Sequence, residues 1–238
     1  MSRMTPAQMH LQRKQAAQAA AVAPAGATTE GSAYELMLAQ LYEHKQQLKA
    51  IQSIERKIEA KRTFLPLYAP WVKGVLETGQ GAQDMVLTTV WVWALDIGDY
   101  AMALDMASYI LQHSLTLPDQ YQRDPATTLI DEVADASLKG KVPFDLAAMV
   151  LAKVDELTAE RDVPDQARAK LHKAMAYAIV GRTSVSEVDY KDLPLPQAQA
   201  ALPHLHRALE LFQGVGVKKD IERLERRVKE LTQPPPAP

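Results

Sequence analysis

The chain has 238 residues and no cysteine, which excludes disulfides, thiolate metal sites and a cysteine nucleophile. Aromatics make up only 6% of it, Ala, Leu, Gln, Glu and Lys are abundant, and no apolar run approaches the roughly 20 residues of a membrane span, so an all-α, cytoplasmic protein without a membrane partner is expected. The formal charge of −2 hides three segments: residues 1–62 carry 9 Lys/Arg against 5 Asp/Glu, residues 63–165 carry 6 against 16, and residues 166–238 carry 12 against 8. A basic end on an acidic middle suits a polyanion-binding element joined to a packed body, the alternative being ordinary variation among solvated helices.

Thr5 and Pro6 predict the start of a helix over 5–21, whose Ala-rich face has little to bury. The stretch Ala23-Pro-Ala-Gly-Ala-Thr-Thr-Glu-Gly31 has linker composition, so residues 1–31 read as a mobile basic arm. Ser32-Ala-Tyr-Glu35 has the form of a capping box, and neither Pro nor Gly interrupts residues 32–62, which predicts one long helix. In heptad register, Tyr34, Leu41, Leu48 and Glu55 take one core position and Met37, His44, Ile51 and Ile58 the other. Tyr34, Met37, Leu41, Leu48, Ile51 and Ile58 are therefore candidates for a self-association seam, or for the buried face of an ordinary amphipathic helix.

Pro66 and Pro70 predict a break before a short helix over Trp71–Glu77, closed by Gly79. The body spans 63–232. Its helices are expected over 83–97 and 100–114, joined at Gly98-Asp99 as a helical hairpin, and over 126–139, 144–161, 165–181, 202–213 and 217–231. Gly98-Asp-Tyr-Ala-Met-Ala103 and Ala201-Leu-Pro-His-Leu-His-Arg-Ala208 resemble parts of a tetratricopeptide repeat, without a regular period between them. The fold class is thus all-α: a basic arm, a coiled-coil-like helix over 32–62, and stacked, TPR-like helical hairpins. The Pro-rich tail, 233–238, is not expected to pack.

Candidate phosphate contacts are Arg3, Arg13, Lys14, Lys45, Lys49, Arg56, Lys57, Lys61 and Arg62, whose affinity would be salt-dependent and tolerant of sequence. A second cluster, Lys218, Lys219, Arg223, Arg226, Arg227 and Lys229, alternates with Asp220, Glu222, Glu225 and Glu230 at spacings that predict intrahelical pairs. Trp71, Trp91 and Trp93 read as a partner pocket or, more simply, as core. Asp96, Asp99 and Asp105 near one helix junction, and Asp131, Glu132 and Asp135 near another, mark two acidic clusters without a nuclease motif. His204 and His206 point to opposite sides of a helix, a poor metal site, and no metal or cofactor site is assigned.

The block Phe64-Leu-Pro-Leu-Tyr-Ala-Pro-Trp71-Val-Lys-Gly74-Val-Leu-Glu-Thr-Gly79, then Gly81-Ala-Gln-Asp84 and the stretch through Trp91, Trp93, Gly98, Asp99 and Tyr100, resembles the terminase small subunit of peduovirus-type tailed phages. Val163–Lys173 and Gly216–Arg226 resemble that family's later helices, and the likeness covers about Thr5 to Leu231. The resemblance implies a homo-oligomer, a ring, that binds double-stranded cohesive-end phage DNA in the host bacterial cytoplasm and recruits a terminase large subunit holding the ATPase. Because members of this family also carry the label terminase endonuclease subunit, it leaves open a Mg²⁺-dependent nuclease at Asp99 or at Asp131, Glu132 and Asp135. A helical adaptor that binds only protein is the third reading. The Pro-rich tail departs from the basic tail of the family, so no DNA contact is carried over to it.

Overall fold

Ten α-helices and one 3-10 turn form among residues 4–118, 122–186 and 188–232, the part of the chain described by this computed structural model. The chain divides into two units, 1–125 and 126–238. The first holds α1 (Pro6–Val22), α2 (Ser32–Ala50), α3 (Ile54–Thr78), α4 (Met85–Ile97) and α5 (Tyr100–Gln112). The second holds α6 (Pro125–Leu138), α7 (Phe144–Thr158), α8 (Asp165–Val180), a 3-10 turn (Tyr190–Asp192), α9 (Leu195–Leu211) and α10 (Lys218–Thr232). No described helix is long and apolar enough to cross a membrane. The Pro-rich tail, 233–238, lies outside the described residues.

The expected mobile arm is instead packed. Thr5 and Gln8 close a reciprocal capping box at the start of α1, and Pro6 fills the first turn. Only Ala16 and Ala20 are buried in α1, so side-chain burial alone would hold it weakly. Close approach holds it: a Cβ at Gly74 of α3 would lie 2.4 Å from the Arg13 carbonyl oxygen and 2.7 Å from Ala16 Cβ, contacts that only glycine permits. Thr78 Oγ1 donates to the Ala17 carbonyl at 2.8 Å, and Arg13 forms a two-pronged ion pair with Glu77. The segment of linker composition is tied down as well, through Gln83 N–H to the Ala27 carbonyl (2.7 Å) and Thr29 N–H to the Gln83 carbonyl (2.9 Å).

The single helix expected over 32–62 is two helices. Ile51 leaves α2 in extended conformation, and the Ser53 hydroxyl caps α3 by accepting from Arg56 N–H. A serine that satisfies an orphan N–H stabilises a new start by about 1 kcal/mol, enough to break a helix that lacks a strong apolar face at that point. The expected capping box at Ser32 does not form: Gly31 precedes α2 without a side-chain cap. Nor does α3 break at Pro66 or Pro70, both of which lie inside it. Each proline costs about 3 kcal/mol in a helix interior. Burial of Phe64, Leu65, Tyr68, Trp71, Val72 and Val75 on this helix, at about 1.5–3 kcal/mol per large apolar side chain, outweighs that. Pro203 is carried inside α9 in the same way, so α9 begins at Leu195 and not at 202.

The heptad seam is spent within the chain. Tyr34, Met37, Leu41, His44 and Leu48 are buried, while Ile51 and Ile58 are half-buried. Tyr34 stacks on Trp71 at 5.8 Å, His44 stacks on Phe64 at 3.9 Å, and His44 Nδ1 lies 2.8 Å from the Tyr68 hydroxyl. The three tryptophans are core: Trp71 and Trp91 are fully buried, and Trp93 packs against Phe64 and Tyr68. At the centre of this unit Asp84, without solvent access, caps α4 through Leu87 N–H (2.9 Å) and accepts from Trp71 Nε1 (2.9 Å). Burial pushes its carboxyl above the usual range, against the pull of these hydrogen bonds.

The turn between α4 and α5 has the expected chemistry, with Gly98 in left-handed conformation and the Asp99 side chain accepting from Met102 N–H at 3.1 Å. In the second unit, α8 packs against α9, and both helices bury small residues, Ala167, Ala169, Ala174 and Ala176 on α8 and Ala198, Ala201 and Ala208 on α9. Asp220 of α10 is buried and accepts from Tyr177 (2.8 Å) and Tyr190 (2.9 Å) while ion-paired with Arg182, whose guanidinium lies 4.6 Å from the Tyr177 ring centroid. This network joins α8, the 3-10 turn and α10.

Two stability measurements follow from these contacts. Asp84→Ala leaves the Trp71 and Leu87 donors buried without partners, and urea denaturation should show a loss of about 3 kcal/mol, with Asp84→Asn losing less than half of that. His172 and His204 place their Nδ1 atoms 3.3 Å apart, and burial lowers both pKa values, with Asp155 opposing the shift and Arg168 and Arg207 adding to it for His172. The unfolded chain therefore takes up these protons more readily. Stability of the second unit is full above pH 6.5 and falls as the pH drops below it, and the double variant His172→Gln/His204→Gln should flatten that part of the urea-midpoint profile.

Candidate nucleic-acid interface

The corner at residues 51–53 sets the last turn of α2 beside the first turn of α3 in the chain, and so brings Lys45 and Lys49 close in sequence to Arg56 and Lys57. Lys49, Arg56 and Arg62 are exposed and Lys45 and Lys57 half-buried, and none of the five has an ion-pair partner among the described residues. The placement of Arg56 and Lys57 runs against local preference. Cations at a helix N-terminus oppose the macrodipole by about 0.3–1 kcal/mol each, and Glu55 is the only acid in that turn.

The other candidates separate. Lys14 is exposed on α1, whereas Arg13 is committed to Glu77 and Lys61 to Asp96. These two serve structure before any ligand. Arg3 lies outside the described residues.

The acidic candidates have structural employment. Asp99 caps α5. Asp131 and Asp135 both accept an ion pair from Lys170, at 2.8 and 3.0 Å, and Asp135 lies 3.5 Å from Lys139. Glu132 is on the exposed side of α6. Among the described residues no group of three or more His, Asp or Glu side chains is placed to hold a metal ion.

The C-terminal cluster differs most from what linear spacing predicts. Asp220 belongs to the buried network with Arg182, Tyr177 and Tyr190, and Glu225 lies 3.3 Å from His206 Nε2. No ion pair joins two residues of α10 among those described. Around the helix, at about 100° per residue, Lys219, Arg223, Arg226 and Arg227 share one sector with a single acid, Glu230, whereas Lys218 and Lys229 share another with Glu222 and Glu225. One stripe is basic and the other balanced. The basic stripe borders a groove of about 500 Å³ whose opposite wall is the 3-10 turn with Lys191. Linear spacing alone, which mixes both stripes, concealed this asymmetry.

A model of the phage small terminase subunit family matches residues 38–166. The chain is 42% identical over 233 residues, 98% of its length and 89% of the relative's, to the protein named "Terminase, endonuclease subunit" of Escherichia phage P2. It is 26% identical over 212 residues, 85% of its length and 73% of the relative's, to the "Probable terminase, endonuclease subunit" of Haemophilus phage HP1 (strain HP1c1). No solved structure matches it. The region that unites it with these proteins contains the α3–α5 core built on Trp71, Asp84 and the Gly98-Asp99 turn, and on that ground the chain belongs to the phage small terminase subunit family, the DNA-packaging terminase proteins of bacteriophages.

Proposed function

We propose that this small terminase subunit binds cohesive-end DNA of its phage as a homo-oligomer, a ring, in the host cytoplasm, and presents that DNA to a terminase large subunit that carries the ATPase. The observation that carries the DNA-binding part is the unpaired cationic surface at the α2–α3 corner, where Arg56 and Lys57 occupy the least favourable end of a helix for a cation. Charges kept against local preference and left without ion-pair partners among the described residues suit a phosphate backbone, and repetition around a ring multiplies weak contacts. Association between copies falls to surfaces other than the α2 seam. Leu36 and Tyr42 of α2 and Phe144 and Met149 of α7 are large apolar side chains left exposed for it.

The names of both relatives include an endonuclease subunit. The corresponding reading here is Mg²⁺-dependent cleavage of cohesive ends at Asp99 or at Asp131, Glu132 and Asp135. Because Asp99 is a helix cap and Lys170 is shared by Asp131 and Asp135, we place DNA recognition ahead of cleavage.

Affinity for a cohesive-end duplex, followed against salt by filter binding, tests the reading. Each phosphate contact adds about 0.9 to the slope of log K against log salt, so Lys49→Gln/Arg56→Gln/Arg62→Gln should reduce that slope by about 2.7. An intact oligomer with no affinity at low salt would overturn DNA binding and favour an adaptor that meets only protein.

A further inference from the structure

We propose that the groove between the 3-10 turn Tyr190–Asp192 and α10 is a second binding site for a nucleic-acid phosphodiester backbone, contacted by Arg223, Arg226 and Lys191. The site rests on the DNA-binding function proposed for this subunit and gives it a surface in the C-terminal unit. Lys191, Arg223, Arg226 and Arg227 line this groove against Asp189 and Glu230. Four cations thus face two acids, Glu230 and Asp189, whose side chain also accepts from Lys191 N–H at 3.0 Å. Arg227 is anchored through Nε to the Leu193 carbonyl at 3.0 Å, while Arg223, Arg226 and Lys191 are exposed and without an ion-pair partner among the described residues.

Both walls are held in place before any ligand arrives. Tyr190, buried in the 3-10 turn, hydrogen-bonds to Asp220 at the start of α10 and accepts from Arg182, so the turn and the helix share one buried network. A preorganised pair of walls keeps the cations at fixed separation, and less ordering entropy is lost when an anion enters. Arg223 and Arg226 stand one helical turn apart on the same face, with Lys219 continuing the row.

The chemistry of the groove selects its occupant. Protein interfaces draw their affinity from large apolar or aromatic anchors seated in pockets. Here the only aromatic side chain on the described walls is Tyr190, which is buried and committed to Asp220, and the basic stripe of α10 has no exposed large apolar residue. A row of arginines beside one half-buried valine, Val188, and no large exposed apolar anchor matches a linear polyanion, whose phosphates take guanidinium pairs and whose bases need not be read.

The test is fluorescence anisotropy of the full chain with a labelled duplex across a salt series, comparing two double variants that remove the same charge from the same helix. Arg223→Gln/Arg226→Gln strips the groove; Lys218→Gln/Lys229→Gln strips the balanced stripe. All four residues are exposed, and circular dichroism of both variants checks that helicity is retained. The groove variant should lose more than about tenfold in affinity at physiological salt and about 1.8 in salt slope, with the control close to the unmodified chain. Equal effects of the two variants would overturn the groove while leaving DNA binding intact. The groove also fails as a DNA site if its variant keeps full DNA affinity and loses only binding to purified large subunit, which would make this a protein surface. Absence of DNA binding by the unmodified chain overturns both the groove and the DNA-binding function it rests on.

Discussion

A carboxylate without access to water joins three helices of the N-terminal unit. Asp84 ends the loop after α3, starts α4 and holds the indole of Trp71, against which Tyr34 of α2 stacks. The Tyr34 hydroxyl closes the arrangement by accepting from Met85 N–H at 2.9 Å. Removing a charged group from water costs several kcal/mol unless its lone pairs are met, so the position of each donor is tightly specified. Where α2, α3 and α4 sit follows from this, and with them the corner at 51–53 and the cations that flank it. The C-terminal unit repeats the device with Asp220, which fixes the 3-10 turn against α10.

Most helices were legible in the sequence because their boundaries have chemical signals: Gly98 and Asp99 between α4 and α5, Gly140 after α6, Gly181 after α8. Legibility failed where tertiary burial and local preference disagree. Pro66 and Pro70 read as breaks, yet the apolar face around them keeps α3 intact. Residues 51–53 contain no strong breaker, and only Ser53, a common capping residue, ends the continuity of 32–62. The heptad spacing of Tyr34, Met37, Leu41 and Leu48 was real, but periodicity states that a face is buried without stating whose surface covers it. The same limit hid the network around Asp220, since its partners Tyr177, Arg182 and Tyr190 lie 30 or more positions away.

Charge pairing separates the basic residues more sharply than charge counting. Arg13 and Lys61 belong to the architecture, tied to Glu77 and Asp96, while their neighbours Lys14 and Arg62 are exposed. On α10 Asp220 is drawn into the core, and the groove beside it keeps four cations, Lys191, Arg223, Arg226 and Arg227, against two acids, Asp189 and Glu230. A net charge of −2 is therefore compatible with strongly positive local surfaces, and it keeps the molecule as a whole from collecting polyanions everywhere.

The seat of α1 on Gly74 has a thermodynamic consequence. Only two alanines of this helix are buried, and the rest of its attachment includes close backbone approach, the Thr78 hydrogen bond, a Gln12 hydrogen bond to Met37 of α2 and one ion pair. Heat-capacity change on unfolding scales with the apolar area that water regains, and lifting α1 from α3 exposes very little of it. The hold of this helix thus depends weakly on temperature and more on ionic strength, the opposite balance to the tryptophan-rich core beneath it.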